Sequence, residues 1–167
     1  MRKHSGKQGM RSRAVWATVA RLGQVHWFFG NVYEAMVDMP QLLADARSDR
    51  APKLLGAGSP LRYYLPVAPV TLAATAATLV DRWRSGSDRR VIITAAVSTT
   101  AATALTAYLV RTVNLRLLRS NEPLSATEVR RLLRLWHRGN LLRLLALTVA
   151  IWALHLAHFT RERGQAQ

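Results

Sequence analysis

The chain has 167 residues, half of them hydrophobic, and it carries a formal net charge of +15. This length suits a single domain, and the lack of cysteine excludes disulfides, thiolate nucleophiles and cysteine-ligated metals. Because the basic side chains flank long uncharged stretches (Leu65–Val80, Val91–Val110 and Leu144–Thr160), the charge favours a lipid bilayer as partner and argues against nucleic acid.

The uncharged stretches predict an all-α fold class, an integral membrane four-helix bundle. In chain order we expect a basic tail over residues 1–13, a domain over 14–160 and a C-terminal tail over 161–167. The four spans cover about 14–39, 61–82, 91–118 and 137–160, near the roughly 20 residues that cross a bilayer. Pro66 and Pro69 fall inside the second span and predict a kink there.

The third and fourth spans carry packing and capping signals. Small residues recur every four positions in the third span, at Ala95, Thr99, Thr103 and Ala107. Such a ridge lets another helix approach closely. The second helix could belong to the same chain or to a second copy, so a homo-oligomer is one alternative. Ser125 and Glu128 have the spacing of a capping box, so the last helix should begin near Ala126. Its basic, leucine-rich first turns predict an amphipathic extension at the membrane surface.

The distribution of basic residues also predicts location and orientation. Five precede the first span, at positions 2, 3, 7, 11 and 13, and four lie around the short second loop, at 82, 84, 89 and 90. Cytoplasmic loops are enriched in lysine and arginine. We therefore expect a multi-pass protein of the cell membrane with its N-terminus in the cytoplasm.

A polar stripe runs along the first span. Spacings of three and four residues place its members within about 80° of one another on a helix. They are Gln24, Trp27, Asn31, Glu34 and Asp38. A carboxylate facing lipid is unfavourable by about 3 kcal/mol or more, so the stripe should face the interior of the bundle.

Alternating span directions should bring further polar residues to the same membrane face. These are Tyr63 and Tyr64 from the second span, Arg111 and Asn114 from the third, and Trp136, His137, Asn140 and Arg143 from the fourth. The convergence predicts a polar pocket, although the charged groups could equally serve to pair with one another. Tyr64 and Trp136 also fit the aromatic belt of a membrane interface. A metal site built from Glu34, Asp38 and His137 is a third alternative; it lacks a paired-histidine motif, and we assign no metal ligand.

Four short motifs carry a family resemblance. "FFGNVYEAMVDMP", "GSPLRYYLP", "VNLRLL" and "LWHRGNLLRLLAL" resemble, in order and spacing, the anthrone-oxygenase-like family of small four-helix membrane proteins. Trp136, Asn140 and Arg143 match the family's W…N..R pattern, and Asn114 matches the first amide of its NxPLN pattern. Arg116 and Leu118 stand where that pattern has proline and its second asparagine.

The resemblance implies an oxygenase-type reaction on a lipophilic aromatic or quinone-like compound, such as the oxidation of an anthrone to an anthraquinone. It implies Glu34 or His137 as the base, with Arg143 and Asn140 or Asn114 stabilising the enolate oxygen. Asn31, Asp38, Tyr64, Arg111, Asn114 and Trp136 are then the candidate substrate-binding residues. The sequence identifies no cofactor. The alternative is a non-enzymatic membrane module, either a small carrier or a structural partner, in which Glu34 and Asp38 pair with Arg111 and Arg143.

Overall fold

The computed structural model describes residues 3–45, 64, 66–119 and 124–164. Within these ranges every regular element is a helix, so the predicted all-α class is confirmed. The elements are α1 (Lys3–Met36), α2 (Met39–Asp45), α3 (Val67–Arg84), α4 (Arg89–Leu109), a π-helical turn (Val110–Asn114), α5 (Leu115–Arg119) and α6 (Ala126–Gly164).

Four long helices pack side by side. The most extensive contacts join α4 to α6 and α1 to α3, and α1 also packs on α6. Glycines allow two of these approaches, because a Cβ at Gly23 would overlap Thr71, and one at Gly139 would lie 2.7 Å from a methyl carbon of Leu109. Both glycines therefore sit where the neighbouring helix leaves no room for a side chain.

The first helix is shorter at its C-terminal end than the predicted span over 14–39. It ends at Met36, and Asp38 adopts a left-handed conformation with φ of 48°. The chain then turns into α2, where the Asp38 carbonyl accepts bonds from the backbone N–H groups of Gln41 and Leu42 at 2.9 and 3.1 Å. Aspartate is among the few residues that tolerate this conformation, and the break changes the direction in which its side chain points.

Both prolines of the second predicted span lie at the start of α3. Pro66 is the N-cap residue, and Pro69 lies in the first turn, where the backbone N–H groups have no partner inside the helix. Neither proline therefore interrupts a hydrogen bond within α3, and a kink before Val67 stays a prediction because residue 65 lies outside the described ranges. Residues 61–63 lie outside the described ranges, and so do residues 1–2 and 165–167 of the predicted tails.

A π-helical turn, Val110–Asn114, interrupts the third long helix between α4 and α5. Each π-turn accommodates one extra residue, so the helix continues beyond it with a changed register. Upstream, the Asp88 side chain caps α4 by accepting a bond of 2.9 Å from the Arg90 backbone N–H.

The last helix begins at Ala126, as the capping signal predicts. The Ser125 hydroxyl accepts a bond of 3.2 Å from the Glu128 backbone N–H. The Glu128 carboxylate turns instead to Arg116, whose Nε donates to it at 2.9 Å. Half of the expected capping box therefore forms, and its glutamate ties α6 to α5.

The interior alternates between polar and apolar layers. Gln24 donates to the hydroxyls of Thr75 and Thr99 at 3.3 and 3.4 Å. The next layer is apolar and consists of Trp27, Ala102 and Leu147. Beyond it lies a second polar layer around Asn31 and Glu34, both buried. The predicted inward-facing stripe of α1 is confirmed from Gln24 to Glu34.

By length and hydropathy, two helical stretches of the described chain are able to cross a membrane, Arg89–Leu117 and Ala126–Ala157. The other two long helices do not reach the same combination of length and hydropathy over their described residues. α1 carries Arg21, Gln24 and Asn31 along its length, and α3 ends in the charged sequence from Asp81 to Arg84.

Candidate functional site

A buried ion pair forms the centre of the candidate site. A terminal nitrogen of the Arg143 guanidinium lies 3.3 Å from Oε2 of Glu34, and the two side chains are only 5% and 10% exposed. Two charges removed from water at this depth lose their hydration, so they need close partners. The pair joins α1 to α6 across 109 positions of the sequence.

The remaining donors of Arg143 also have partners. Its Nε donates to Asn140 Oδ1 at 3.2 Å, and the terminal nitrogen that contacts Glu34 also donates to Asn140 Oδ1, at 2.7 Å. The other terminal nitrogen reaches the hydroxyl of Thr106 on α4 at 3.5 Å, the longest of these contacts. That nitrogen therefore makes the weakest hydrogen bond of Arg143, and a ligand oxygen could replace Thr106 there most easily.

Asn140 and Asn31 complete the buried network. Asn140 donates through Nδ2 to the backbone carbonyl of Asn31 at 3.2 Å, and Asn31 donates to the carbonyl of Trp27 at 2.8 Å. Both asparagines are buried. Oδ1 of Asn31 has no hydrogen-bond partner among the described residues, so one acceptor beside the ion pair is unused.

Tyr64 reaches the ion pair from outside the long helices. Its side chain hydrogen-bonds to Glu34, and its ring packs beside the layer of Trp27, Ala102 and Leu147. The hydroxyl occupies the space where a Cβ of Gly30 would lie. Gly30 therefore allows Tyr64 to approach the carboxylate.

We expect Gly30→Ala to push the Tyr64 ring away from Glu34 and to lower the free energy of unfolding by about 1–3 kcal/mol, the usual effect of overpacking. Thermal unfolding of the purified protein measures the loss. Tyr64→Phe removes the colliding oxygen, so the double variant should recover part of the stability. A double variant that loses the full sum of both single effects would contradict this contact.

A second pair lies nearer the exterior. Nε2 of His137 is 3.3 Å from Oδ1 of Asp38, and both side chains are about half exposed. The contact has the distance of an ion pair but lacks hydrogen-bond geometry. The His137 ring meets Trp136 edge to face, with centroids 5.3 Å apart. His137 precedes Arg143 by six residues, so the two pairs lie about 9 Å apart along α6, nearly two helical turns.

The remaining predicted substrate-binding residues differ in burial. Trp136 is buried in an apolar cluster with Leu109, Val113 and Leu117. Asn114 lies at the end of the π-turn, and its Oδ1 is buried without a hydrogen-bond partner in the described chain. Arg111 is exposed. Their part in binding a substrate stays a prediction.

The charge pairing differs from the alternative in which Asp38 joins an arginine. Glu34 meets Arg143, as that alternative expects, but Asp38 meets His137. Across the described ranges, no three histidine or acidic side chains lie together as a metal-binding group. The trio of Glu34, Asp38 and His137 is therefore divided between two separate contacts.

Sequence reasoning missed Thr106 and Gly30. Thr106 donates to the carbonyl of Ala102 at 2.9 Å, as other threonines of the long helices do with the carbonyl four residues back. Because several threonines make this same local bond, the sequence does not indicate which of them also accepts a bond from a distant side chain. Gly30 follows Gly23 by seven residues on α1, and that spacing was the available signal for a face in close contact.

A comparison with protein-family models matches residues 43–153 to the model described as Anthrone oxygenase, about two thirds of the chain. The chain belongs to the anthrone oxygenase family. No curated protein and no solved structure gives a significant match. The segment matched to the anthrone oxygenase model contains Tyr64, Thr106, His137, Asn140 and Arg143, whereas Glu34 and Asp38 precede it. The family resemblance inferred from the motifs is confirmed.

Proposed function

We propose that this member of the anthrone oxygenase family is a multi-pass membrane protein with four spans and a polar pocket at one membrane face. The support is a reversed distribution of polarity. The interior holds the charged and amide side chains of Gln24, Asn31, Glu34, Asn140 and Arg143, whereas large apolar side chains such as Leu22, Phe29, Val97, Leu141 and Trp152 are exposed. Apolar surface of this extent needs a lipid or protein covering.

Single cysteines test this topology on a clean background, because the chain contains none of its own. Ser87, in the turn between α3 and α4, and Ser125, before α6, lie at opposite ends of the third long helix. In intact cells or sealed vesicles, a membrane-impermeant maleimide should label S87C and S125C from opposite sides. Labelling of both from the same side would contradict the proposed spans.

The proposed activity is oxygenation of a lipophilic aromatic compound of the anthrone or quinone-like class. Family membership carries this proposal, and the buried cluster around Arg143 supplies suitable chemistry. The methylene of an anthrone is acidic because its carbanion delocalises into the carbonyl. His137, which is half exposed and lies 3.3 Å from Asp38, is better placed than the ion-paired Glu34 to take that proton.

Arg143 then supports the resulting negative charge. The enolate oxygen accepts a hydrogen bond from the terminal nitrogen of Arg143 that now contacts Thr106. Asn140 and Glu34 keep the guanidinium in place. The carbanion reacts with dioxygen, one oxygen atom remains on the carbon as the new carbonyl, and the other leaves as water with the two methylene hydrogens. The proposed path through these residues uses no group outside the protein, substrate and dioxygen.

The assay is oxygen uptake by the purified full chain in mild detergent with an anthrone, together with the absorbance of the anthraquinone. The protein should accelerate both changes in parallel, well above the spontaneous oxidation in detergent alone. Rates equal to those of detergent alone would contradict the proposed anthrone activity.

A non-enzymatic membrane module, such as a small carrier or a structural partner of another membrane protein, is the second candidate. The saturated contacts of Arg143 favour it, since every nitrogen of the guanidinium already has a protein acceptor. Under this proposal the ion pair holds α1 to α6, and its members should be exchangeable. The double variant with Glu34→Arg and Arg143→Glu should then keep its fold better than either single exchange.

A further inference from the structure

One exposed stripe of α6 changes abruptly from arginine to leucine. Arg131, Arg134 and Arg138 are exposed, and so are Leu142 and Leu145. Since successive residues of a helix are turned by 100°, these five side chains lie within about 80° of one another. The three arginines form what we call the arginine face. The stripe changes from charged to apolar between Arg138 and Leu142, over about 6 Å of the helix axis.

This change fits the level at which a helix enters the acyl chains of a bilayer. Guanidinium groups are unfavourable in hydrocarbon, whereas exposed leucines need an apolar covering. Arg134 and Arg138 are about 6 Å apart along the axis, close to the depth of the headgroup layer on one side of a membrane. Arg131 is about 4.5 Å farther out, within the roughly 8–10 Å over which charges still act at physiological salt.

The short helix α2 lies at the same level. Its Leu43 packs in one cluster with Leu132 and Trp136, which precede and follow Arg134 by two residues on α6. The neighbouring side chain, Leu42, is about half exposed. A short helix with one packed leucine and one exposed leucine suits the boundary between headgroups and acyl chains. Two elements therefore place this boundary near the arginine face.

The sequence around the arginine face is basic, including the parts outside the described ranges. Residues 111–138 contain seven arginines, at 111, 116, 119, 130, 131, 134 and 138, and two glutamates, at 122 and 128. Glu128 already accepts a bond from Arg116. Residues 45–63 contain four basic residues, at 47, 50, 53 and 62, and two aspartates, at 45 and 49. The excess of positive charge therefore remains whichever acidic side chains lie nearby.

We infer that the arginine face binds anionic phospholipid headgroups in the leaflet on the side of the ion pair. This inference rests on the proposed membrane topology and adds a lipid preference to it. Basic segments next to a span are attracted to anionic lipids, and the forked donors of arginine match phosphate oxygens. A nucleic acid would also attract the arginines, but it would leave the leucines of the same stripe uncovered.

A competition between two lipids tests the preference. The purified full chain in mild detergent receives equal amounts of phosphatidylglycerol and phosphatidylcholine with the same acyl chains, and native mass spectrometry counts each bound lipid. Wild type should retain phosphatidylglycerol in preference by about tenfold or more, since each arginine near the membrane surface contributes roughly fivefold. The preference should shrink as the ionic strength rises.

Two outcomes with wild type would overturn the inference. Equal retention of both lipids would do so while leaving the proposed spans intact. Retention of neither lipid would also contradict the spans, which labelling of S87C and S125C reports separately.

Two double variants locate the preference. Arg134→Gln with Arg138→Gln should lower it by about tenfold or more. The matched control is Arg84→Gln with Arg90→Gln, which also removes two exposed arginines. Arg90 lies about 28 Å along α4 from Leu109, the residue beside Gly139, so the control should stay within about twofold of wild type. Equal losses in the two double variants would overturn the inference.

A labelled RNA oligonucleotide tests the other kind of anionic partner. We expect no difference in RNA binding between wild type and the Arg134→Gln, Arg138→Gln variant. If the variant loses RNA binding and keeps its lipid preference, the arginine face belongs to a nucleic acid and the inference is overturned.

Discussion

Arg143→Gln is expected to lower the turnover of an anthrone by about 100- to 1,000-fold, the usual effect of removing a donor that stabilises a developing oxyanion. Glutamine retains hydrogen-bonding capacity but has neither the positive charge nor the forked donors. The loss should appear in kcat, because the enolate charge develops in the transition state. Oxygen uptake and anthraquinone absorbance at saturating substrate measure it.

Arg138→Gln is the matched control for this effect. Arg138 lies on the same helix but is exposed, so its variant should keep nearly the wild-type rate. Arg143→Lys separates charge from geometry, since lysine keeps the charge but cannot contact Asn140, Glu34 and Thr106 simultaneously. Full activity in a folded Arg143→Gln variant would exclude the proposed role of the guanidinium and favour the purely structural pair.

The second large effect concerns stability. Glu34→Gln or Arg143→Gln alone should lower the free energy of unfolding by about 3–5 kcal/mol, because each leaves the other charge buried without its counter-charge. The double variant carries two neutral amides and should lose clearly less than the sum of the single losses. Denaturant unfolding in detergent, followed by circular dichroism, measures all four proteins of this cycle.

The pair of Arg116 and Glu128 provides an internal comparison. Its side chains are 60% and 32% exposed, and exposed pairs contribute less than about 1 kcal/mol. The same cycle with Arg116→Gln and Glu128→Gln should therefore give a much smaller coupling. Additive losses for Glu34 and Arg143 would mean that the buried contact contributes little beyond its separate hydrogen bonds.

The sequence was sufficient to predict the helical class, the inward face of α1 and the start of α6. These features depend on local chemistry, namely helical periodicity for the buried stripe and a side-chain cap for Ala126. Asp38 lies where this reasoning fails. It continues the stripe by spacing, but the left-handed turn removes it from the helix and directs it to His137.

Long-range choices were not predictable in the same way. Glu34 and Asp38 are both acidic and lie four residues apart, and only the packed helices decide that Glu34 meets Arg143. The π-turn likewise changes the facing of Arg111 and Asn114 without a glycine or proline to signal it. The sequence analysis grouped Arg82 with the basic residues around the second loop, whereas the structure buries it. Its burial depends on how closely α1 approaches α3.

The apolar layer of Trp27, Ala102 and Leu147 has a consequence for charge movement. It lies between Gln24 and Asn31, which are about 10 Å apart along α1. Uncharged, tightly packed side chains act there as electrical insulation between the two polar layers. If the helices cross a membrane as proposed, this layer would oppose the passage of protons between the two polar layers. The losses in free energy of unfolding caused by a substitution of Gln24 and by one of Arg143 should be additive, as expected for residues in separate layers without shared partners.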